Sequence, residues 1–121
     1  MSGIVARFLD PLVLEEVAGG PYWRLIRELR FDSAVMGARV IVPPGTVTDL
    51  ASVPRWPFAF WLAGDTGRKA GVIHDWLYVH QLESRARADA VFYEALAAER
   101  VPSWRQWLMW AAVRLRGGRY W

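Results

Sequence analysis

The stretch from Gly71 to Tyr78 constrains the fold more than any other part of the chain, because it sets ionisable side chains inside an apolar run. His74 and Asp75 are adjacent, and Tyr78 follows one helical turn after His74. A buried charge or an unpaired polar atom is costly in an apolar interior. Either a specific hydrogen-bond network satisfies these side chains, or they line a pocket in which they do chemistry.

The composition is that of a folded protein that is unusually rich in tryptophan. Hydrophobic residues make up 54% of the 121 residues, which is enough to build a core, and we expect residues 1–121 to form a single domain. The chain has no cysteine, which excludes disulfides, thiolate metal sites and a cysteine nucleophile. It has eight Trp residues, and we expect some of them to lie at an interface.

Basic residues are concentrated near the C-terminal end, although the net charge is only +3. From residue 100 onward the chain has no acidic residue, and its arginines are Arg100, Arg105, Arg114, Arg116 and Arg119. Arginine mixed with tryptophan fits either a docking helix with a solvated basic edge, which we favour, or a membrane surface. Nucleic-acid binding is disfavoured, because no recognition motif accompanies these charges.

The first half of the chain, residues 1–50, is predicted to be mainly β. Two apolar runs at 12–17 and 22–29 flank the turn signal at 18–21. The second run could be a strand or a short helix, and we favour a strand because the turn suggests a hairpin. A β-branched run at 39–42 predicts another strand, which two prolines and a glycine end.

The second half, residues 51–121, is predicted to be mainly α. The patterns predict helices over 68–80, from the capping Ser84 to about Arg100, and over 104–116. One apolar face of the last helix is formed by Trp104, Trp107, Leu108, Ala111 and Leu115. The predicted fold class is therefore α+β: a small N-terminal antiparallel β meander or set of hairpins, then a three-helix half that contains an antiparallel helical hairpin.

The helical hairpin predicts a specific side-chain cluster. His74 and Asp89 are almost equally far from the loop centre at Leu82, so they should face each other. Tyr78 lies on the His74 face and can donate its hydroxyl to Asp89. Asp89 would fix the imidazole tautomer, leaving the other nitrogen to take a proton from water. His74, Asp89 and Tyr78 are therefore candidate catalytic residues, unless the same cluster only holds the helices together.

Two further carboxylates are candidate metal ligands. Asp75 points about 100° round the helix from His74 and must serve another purpose. Together with Asp49, in the loop before the helices, it could bind a hard cation such as Ca²⁺ or Mg²⁺. The alternative is that Asp75 accepts hydrogen bonds from Thr48 or Ser52, or pairs with a nearby arginine.

Three segments in order resemble a small family from tailed phages and prophages, the domain of unknown function numbered thirteen fifty-three. They are Thr48–Pro54, Ile73–Tyr78 and Arg87–Tyr93, and the likeness extends over roughly 39–116. This resemblance implies a phage or prophage origin, and hence the host cytoplasm or the virion, since no signal peptide or membrane-spanning segment is evident. It supplies no activity.

The helix pair also resembles that of the phospholipases A2, in which a His-Asp pair is followed by a Tyr and a distant Asp. The resemblance implies that His74 is the general base, Asp75 a Ca²⁺ ligand, Asp89 the residue that orients His74, and Tyr78 its support. The disulfides and the glycine-rich calcium loop of that family are absent here.

Two functions follow as hypotheses. The first is a phage-encoded hydrolase that cleaves an ester, with metal assistance. The second is a non-catalytic virion, assembly or host-interaction protein, in which the cluster is structural and the Trp-rich surface binds other phage proteins or a second copy of the chain.

Overall fold

The structure, a computed structural model, describes residues 5–19, 22–48 and 67–116. These residues form six antiparallel strands in two small sheets, followed by three helices, which confirms the α+β class. The strands are β1 (Arg7–Phe8), β2 (Leu14–Glu16), β3 (Trp23–Leu25), β4 (Leu29–Ser33), β5 (Ala38–Val42) and β6 (Val47–Thr48). The helices are α1 (Arg68–His80), α2 (Arg85–Ala98) and α3 (Ser103–Arg116).

Each sheet has three strands. In the first, β4 lies between β1 and β5; in the second, β3 lies between β2 and β6. The predicted hairpin is present as β2 paired with β3. The prediction of one continuous strand over 22–29 is wrong, however, because these residues contribute to both sheets. Leu25 and Leu29 are buried while the three residues between them are exposed, so the chain bends there and does not continue one alternating strand.

The core lies between the first sheet and the helices. Along β4, Leu29, Phe31 and Ser33 are buried, and Val40 and Val42 are buried on β5. This period of two is that of a sheet with one covered face. Helix α2 packs against β1 and β4, while α1 packs against β5 and β6. The helical hairpin therefore packs on both sheets.

The helix ends depend on local chemistry. Ser84 Oγ accepts a hydrogen bond from the Arg87 amide at 3.2 Å, which makes it the predicted cap of α2. Helix α1 begins after Gly67, whose φ of 88° is left-handed. A Cβ atom at Gly67 would lie 3.1 Å from the Leu96 side chain and 3.3 Å from that of Met109, so glycine suits both the backbone and the packing.

The last helix packs through a face that the sequence did not predict. Met109 and Val113 are its buried residues, whereas Trp104, Trp107 and Leu115 are 55%, 56% and 82% exposed. The predicted apolar face therefore points away from the core. We call it the outer face, and it consists of Trp104, Trp107, Leu108, Ala111 and Leu115.

The helices are shorter than a membrane-spanning helix. Helices α2 and α3 have 14 residues each. Among the residues that the structure describes, no helix combines the length and the apolar character that crossing a bilayer requires.

Candidate active site

The centre of the candidate site is a contact between α1 and α2. His74 Nε2 lies 2.8 Å from Asp89 Oδ1, and the two side chains are 4% and 0% exposed. The contact is the one expected from the distances of the two residues to the loop. An antiparallel helix pair therefore brings an imidazole and a carboxylate together within the core.

Tyr78 completes the predicted trio. Its hydroxyl donates to Asp89 Oδ1 at 2.7 Å, and its ring lies 4.1 Å from the His74 ring, between centroids. The Phe92 ring lies 4.7 Å from His74. Burial, together with the hydrogen bond to Asp89, raises the pKa of Tyr78 to about 12, so its hydroxyl stays protonated and remains a donor.

The charge of Asp89 determines the tautomer of His74. Burial raises the pKa of Asp89, but hydrogen bonds from His74, Tyr78 and Arg114 outweigh this effect and hold the pKa below its ordinary value. Asp89 is therefore a carboxylate, and a proton on His74 Nε2 is the complementary arrangement. Nδ1 then carries the lone pair, and it has no hydrogen-bond partner among the described residues. This nitrogen is the atom of the cluster that can accept a proton.

The cluster also contains two arginines, Arg85 and Arg114, which the sequence analysis did not assign to it. Arg114 Nη1 contacts Asp89 Oδ2 at 2.8 Å. Arg85 Nε donates to the Tyr78 hydroxyl at 3.2 Å, and Arg85 Nη2 donates to the carbonyls of Val113 at 2.9 Å and Arg114 at 2.6 Å. The C-terminal end of α3 is thus tied to the candidate site.

Arg85 thus reaches into the cluster, whereas Arg87 pairs with Glu83, at 3.3 Å. The rule that found Asp89 could have found both arginines. Tyr78 and Arg85 flank the first loop almost symmetrically, and Asp89 and Arg114 do the same around the second, near Val101.

The chain matches the family model described as "Protein of unknown function (DUF1353)" over residues 23–113. This match covers more than half of the 121 residues. The chain belongs to the DUF1353 family. The predicted resemblance to this domain of unknown function is confirmed, and the matched region contains His74, Tyr78 and Asp89 as well as both loops that bring them together. A search of curated proteins and a search of solved structures found no match.

The structure of this DUF1353 chain does not bring the two predicted metal ligands, Asp75 and Asp49, together among the residues that it describes. Asp75 lies half-buried on α1 and already has an interaction with another group. Asp49 lies outside the described residues. Within residues 5–19, 22–48 and 67–116, no three His, Asp or Glu side chains converge as a metal site would need. The described residues alone do not form a Ca²⁺ site.

Proposed function

We propose that this chain is a hydrolase in which His74 activates water for attack on an ester. The observation that carries the proposal is the 2.8 Å contact between His74 Nε2 and Asp89 Oδ1, with Asp89 ionised. It gives the imidazole a fixed orientation and tautomer, which is what a general base needs. The resemblance to the phospholipase A2 helix pair favours lipid esters as the substrate class.

The reaction can be written with the residues of the cluster. Water transfers a proton to His74 Nδ1 as its oxygen bonds to the ester carbonyl carbon. The tetrahedral intermediate then collapses, the bond to the alcohol oxygen breaks, and Nδ1 returns the proton to that oxygen. The products are the acid and the alcohol. Asp89 stabilises the transient imidazolium, and Tyr78 and Arg114 hold Asp89 in place.

Calcium assistance is a separate part of the proposal. Asp75 would supply one ligand, and the others would come from outside the described residues, with Asp49 among them. Isothermal titration with CaCl₂ tests it. Ca²⁺ binding that Asp75→Asn abolishes would support the assignment. If the wild type binds no Ca²⁺, the metal is ruled out, but the role of His74 as the base is not affected.

Phage or prophage origin is also proposed, with action in the host cytoplasm or in the virion. Its support is the order of the three motifs at 48–54, 73–78 and 87–93, which resemble a family from tailed phages. Mass spectrometry of purified virions and of infected-cell cytoplasm would tell the two locations apart. A gene that lies among host metabolic genes, away from any phage genes, would contradict the origin.

The activity test uses two histidines of the same helix. His74 is buried in the cluster, whereas His80 is exposed and contacts the Trp76 ring at a tilt, with ring centroids 3.7 Å apart. In assays with p-nitrophenyl esters and phosphatidylglycerol, we expect His74→Asn to lower kcat/KM by about 100-fold or more. His80→Asn should retain wild-type turnover, and circular dichroism should show that both variants fold.

Turnover that survives in His74→Asn would remove His74 as the base. Wild-type protein that hydrolyses no ester, with or without Ca²⁺, would favour the second function: a non-catalytic virion, assembly or host-interaction protein. One observation favours that alternative. Asp89 is wholly buried and bonded to His74, Tyr78 and Arg114, so it already connects all three helices.

A further inference from the structure

Helix α3 has two apolar faces, and the fold uses only one of them. Met109 and Val113 are buried, and α2 is the main packing partner of α3 among the described elements. On α2, Tyr93 meets Trp110 edge to face with ring centroids 6.3 Å apart. The outer face lies on the opposite side, where Trp104 and Trp107 are more than half exposed. Large apolar residues that lie together in water mark a surface for a partner.

The charges around the outer face are positive. Arg100 is exposed just before the helix, and Arg105, which is half-buried, lies about one turn before Leu108. The Nε and Nη2 atoms of Arg105 are buried and have no hydrogen-bond partner among the described residues, so the charge that reaches solvent at this end of the helix is that of Arg100.

The nearest acids along the chain are already engaged elsewhere. Glu99 accepts a hydrogen bond from the Ala70 amide at 2.6 Å, and Glu94 accepts one from the Ala34 amide at 3.0 Å. No acidic residue follows in the sequence. A partner with negative charge would therefore complement this surface.

We propose that the outer face of α3 docks onto an anionic lipid surface, with the helix lying in the plane of the interface. Tryptophan prefers the boundary between headgroups and acyl chains, and arginine at the edge of such a helix contacts lipid phosphates. At about 1.5 Å per residue, the 14-residue helix is too short to cross a bilayer but suits this parallel position.

The composition of the outer face argues against two other partners. Leu108, Ala111 and Leu115 add aliphatic surface that suits acyl chains and contributes nothing to base stacking on Trp104 and Trp107. A second copy of the chain would bring two arginine-rich helices together without a compensating acid. An anionic membrane surface offers acyl chains to the apolar residues and phosphates to the positive charge.

The test is flotation of the purified full chain with vesicles of phosphatidylcholine alone or mixed with phosphatidylglycerol. We expect binding to the anionic vesicles, weakened by added salt, and little binding to phosphatidylcholine. The double variant Trp104→Ala/Trp107→Ala should lower the partition coefficient by about tenfold or more. Tyr22→Ala is the matched control, since Tyr22 is an exposed aromatic residue on the β half.

The binding assay is independent of hydrolysis, so His74→Asn should bind vesicles as the wild type does. The proposal fails if the wild type ignores anionic vesicles, or if the double variant binds them as well as the Tyr22→Ala control. Sedimentation that shows a dimer lost in the double variant, without vesicle binding, would assign the outer face to a second copy. Binding of single-stranded DNA that the double variant loses, without vesicle binding, would assign it to nucleic acid.

Discussion

Arg114 Nη1 lies 2.8 Å from Asp89 Oδ2, so the last helix supplies the cation that faces the carboxylate beside His74. Asp89 is on α2, its two other partners are on α1, and Arg114 is on α3. One buried carboxylate therefore makes contacts that fix the relative position of all three helices. The same contact sets the rotation of α3, because Arg114 has to point toward α2.

Replacement of Asp89 by alanine should destabilise the fold strongly. The change leaves the Arg114 guanidinium facing an empty space and removes an acceptor from both His74 and Tyr78. Because the Arg114 side chain is 34% exposed, its guanidinium can turn to water, and the cost comes mainly from the buried donors of His74 and Tyr78, about 2–6 kcal/mol in total. We expect a decrease of about that size in the free energy of unfolding, measured by urea denaturation.

Glu15→Ala is the control for this change, because it removes an ion pair at the surface. Glu15 contacts Arg24 at 2.9 Å, and both side chains are about half exposed. Such a pair contributes about 0.5 kcal/mol or less. Equal losses in the two variants would show that Asp89 does not connect the helices.

The helical half of the fold was predictable because its signals are local. Ser84 caps α2 as expected, and the equal distances of His74 and Asp89 from the loop placed them in contact. An antiparallel hairpin has one register once its loop is known, so a pair of residues can be placed from spacing alone. The family resemblance rests on the same stretch of chain and is confirmed.

Other parts depend on contacts far apart in sequence and were missed. Strand β1 has only two residues, and it is a strand because β4 pairs with it. The predicted orientation of α3 was wrong because periodicity favoured the Trp104 side, whereas the side that bears Met109 and Val113 is the one buried in the fold. Amphipathic pattern alone does not tell which of two apolar faces is covered.

Replacement of Arg85 by alanine should loosen the C-terminal end of α3. Arg85 Nη2 donates to the Val113 and Arg114 carbonyls, which lie in the last turn and lack helical partners. Hydrogen bonds from a charged donor contribute about 1.5–3 kcal/mol. We expect the free energy of unfolding to decrease by an amount in the lower part of this range. We also expect faster hydrogen exchange in the last turn of α3. Arg24→Ala, on the exposed pair with Glu15, should change neither, and unchanged exchange in Arg85→Ala would contradict the capping role.

Replacement of Glu94 by alanine should release the turn between β4 and β5 from α2. The Glu94 carboxylate accepts hydrogen bonds from the Ser33 hydroxyl and from the amides of Ala34 and Val35. The change leaves the buried Ser33 hydroxyl without this acceptor, and we expect a cost of about 2 kcal/mol.

Proteolysis within residues 34–37 should also become faster in Glu94→Ala. Glu83→Ala is the control. Glu83 contacts Arg87 four residues further along the chain, and its replacement should lower the free energy of unfolding by about 0.5 kcal/mol or less. Equal stability and protease resistance in the two variants would show that Glu94 does not anchor the turn.

The contact between Asp10 and Arg30 should make stability depend on pH in the acid range. Arg30 donates from Nε at 2.9 Å and from Nη2 at 2.8 Å, and its amide donates to Asp10 as well, at 2.9 Å. The side-chain hydrogen bond from Arg30 is the largest cause that lowers the pKa of Asp10 from 3.8 to about 2. Between these values the unfolded chain binds a proton that the folded chain does not.

The stabilisation from Asp10 is therefore complete above the unfolded pKa of 3.8, and it is lost as the pH falls toward about 2. We expect Asp10→Asn to lower the urea midpoint at pH 7, and the difference from wild type to shrink below about pH 4. The comparison cancels the contributions of other carboxylates, since both proteins contain them. Glu16→Gln, at an exposed position on β2, should show no such trend. A difference that stays constant from pH 7 to pH 2 would mean that Arg30 does not hold Asp10 in its ionised form.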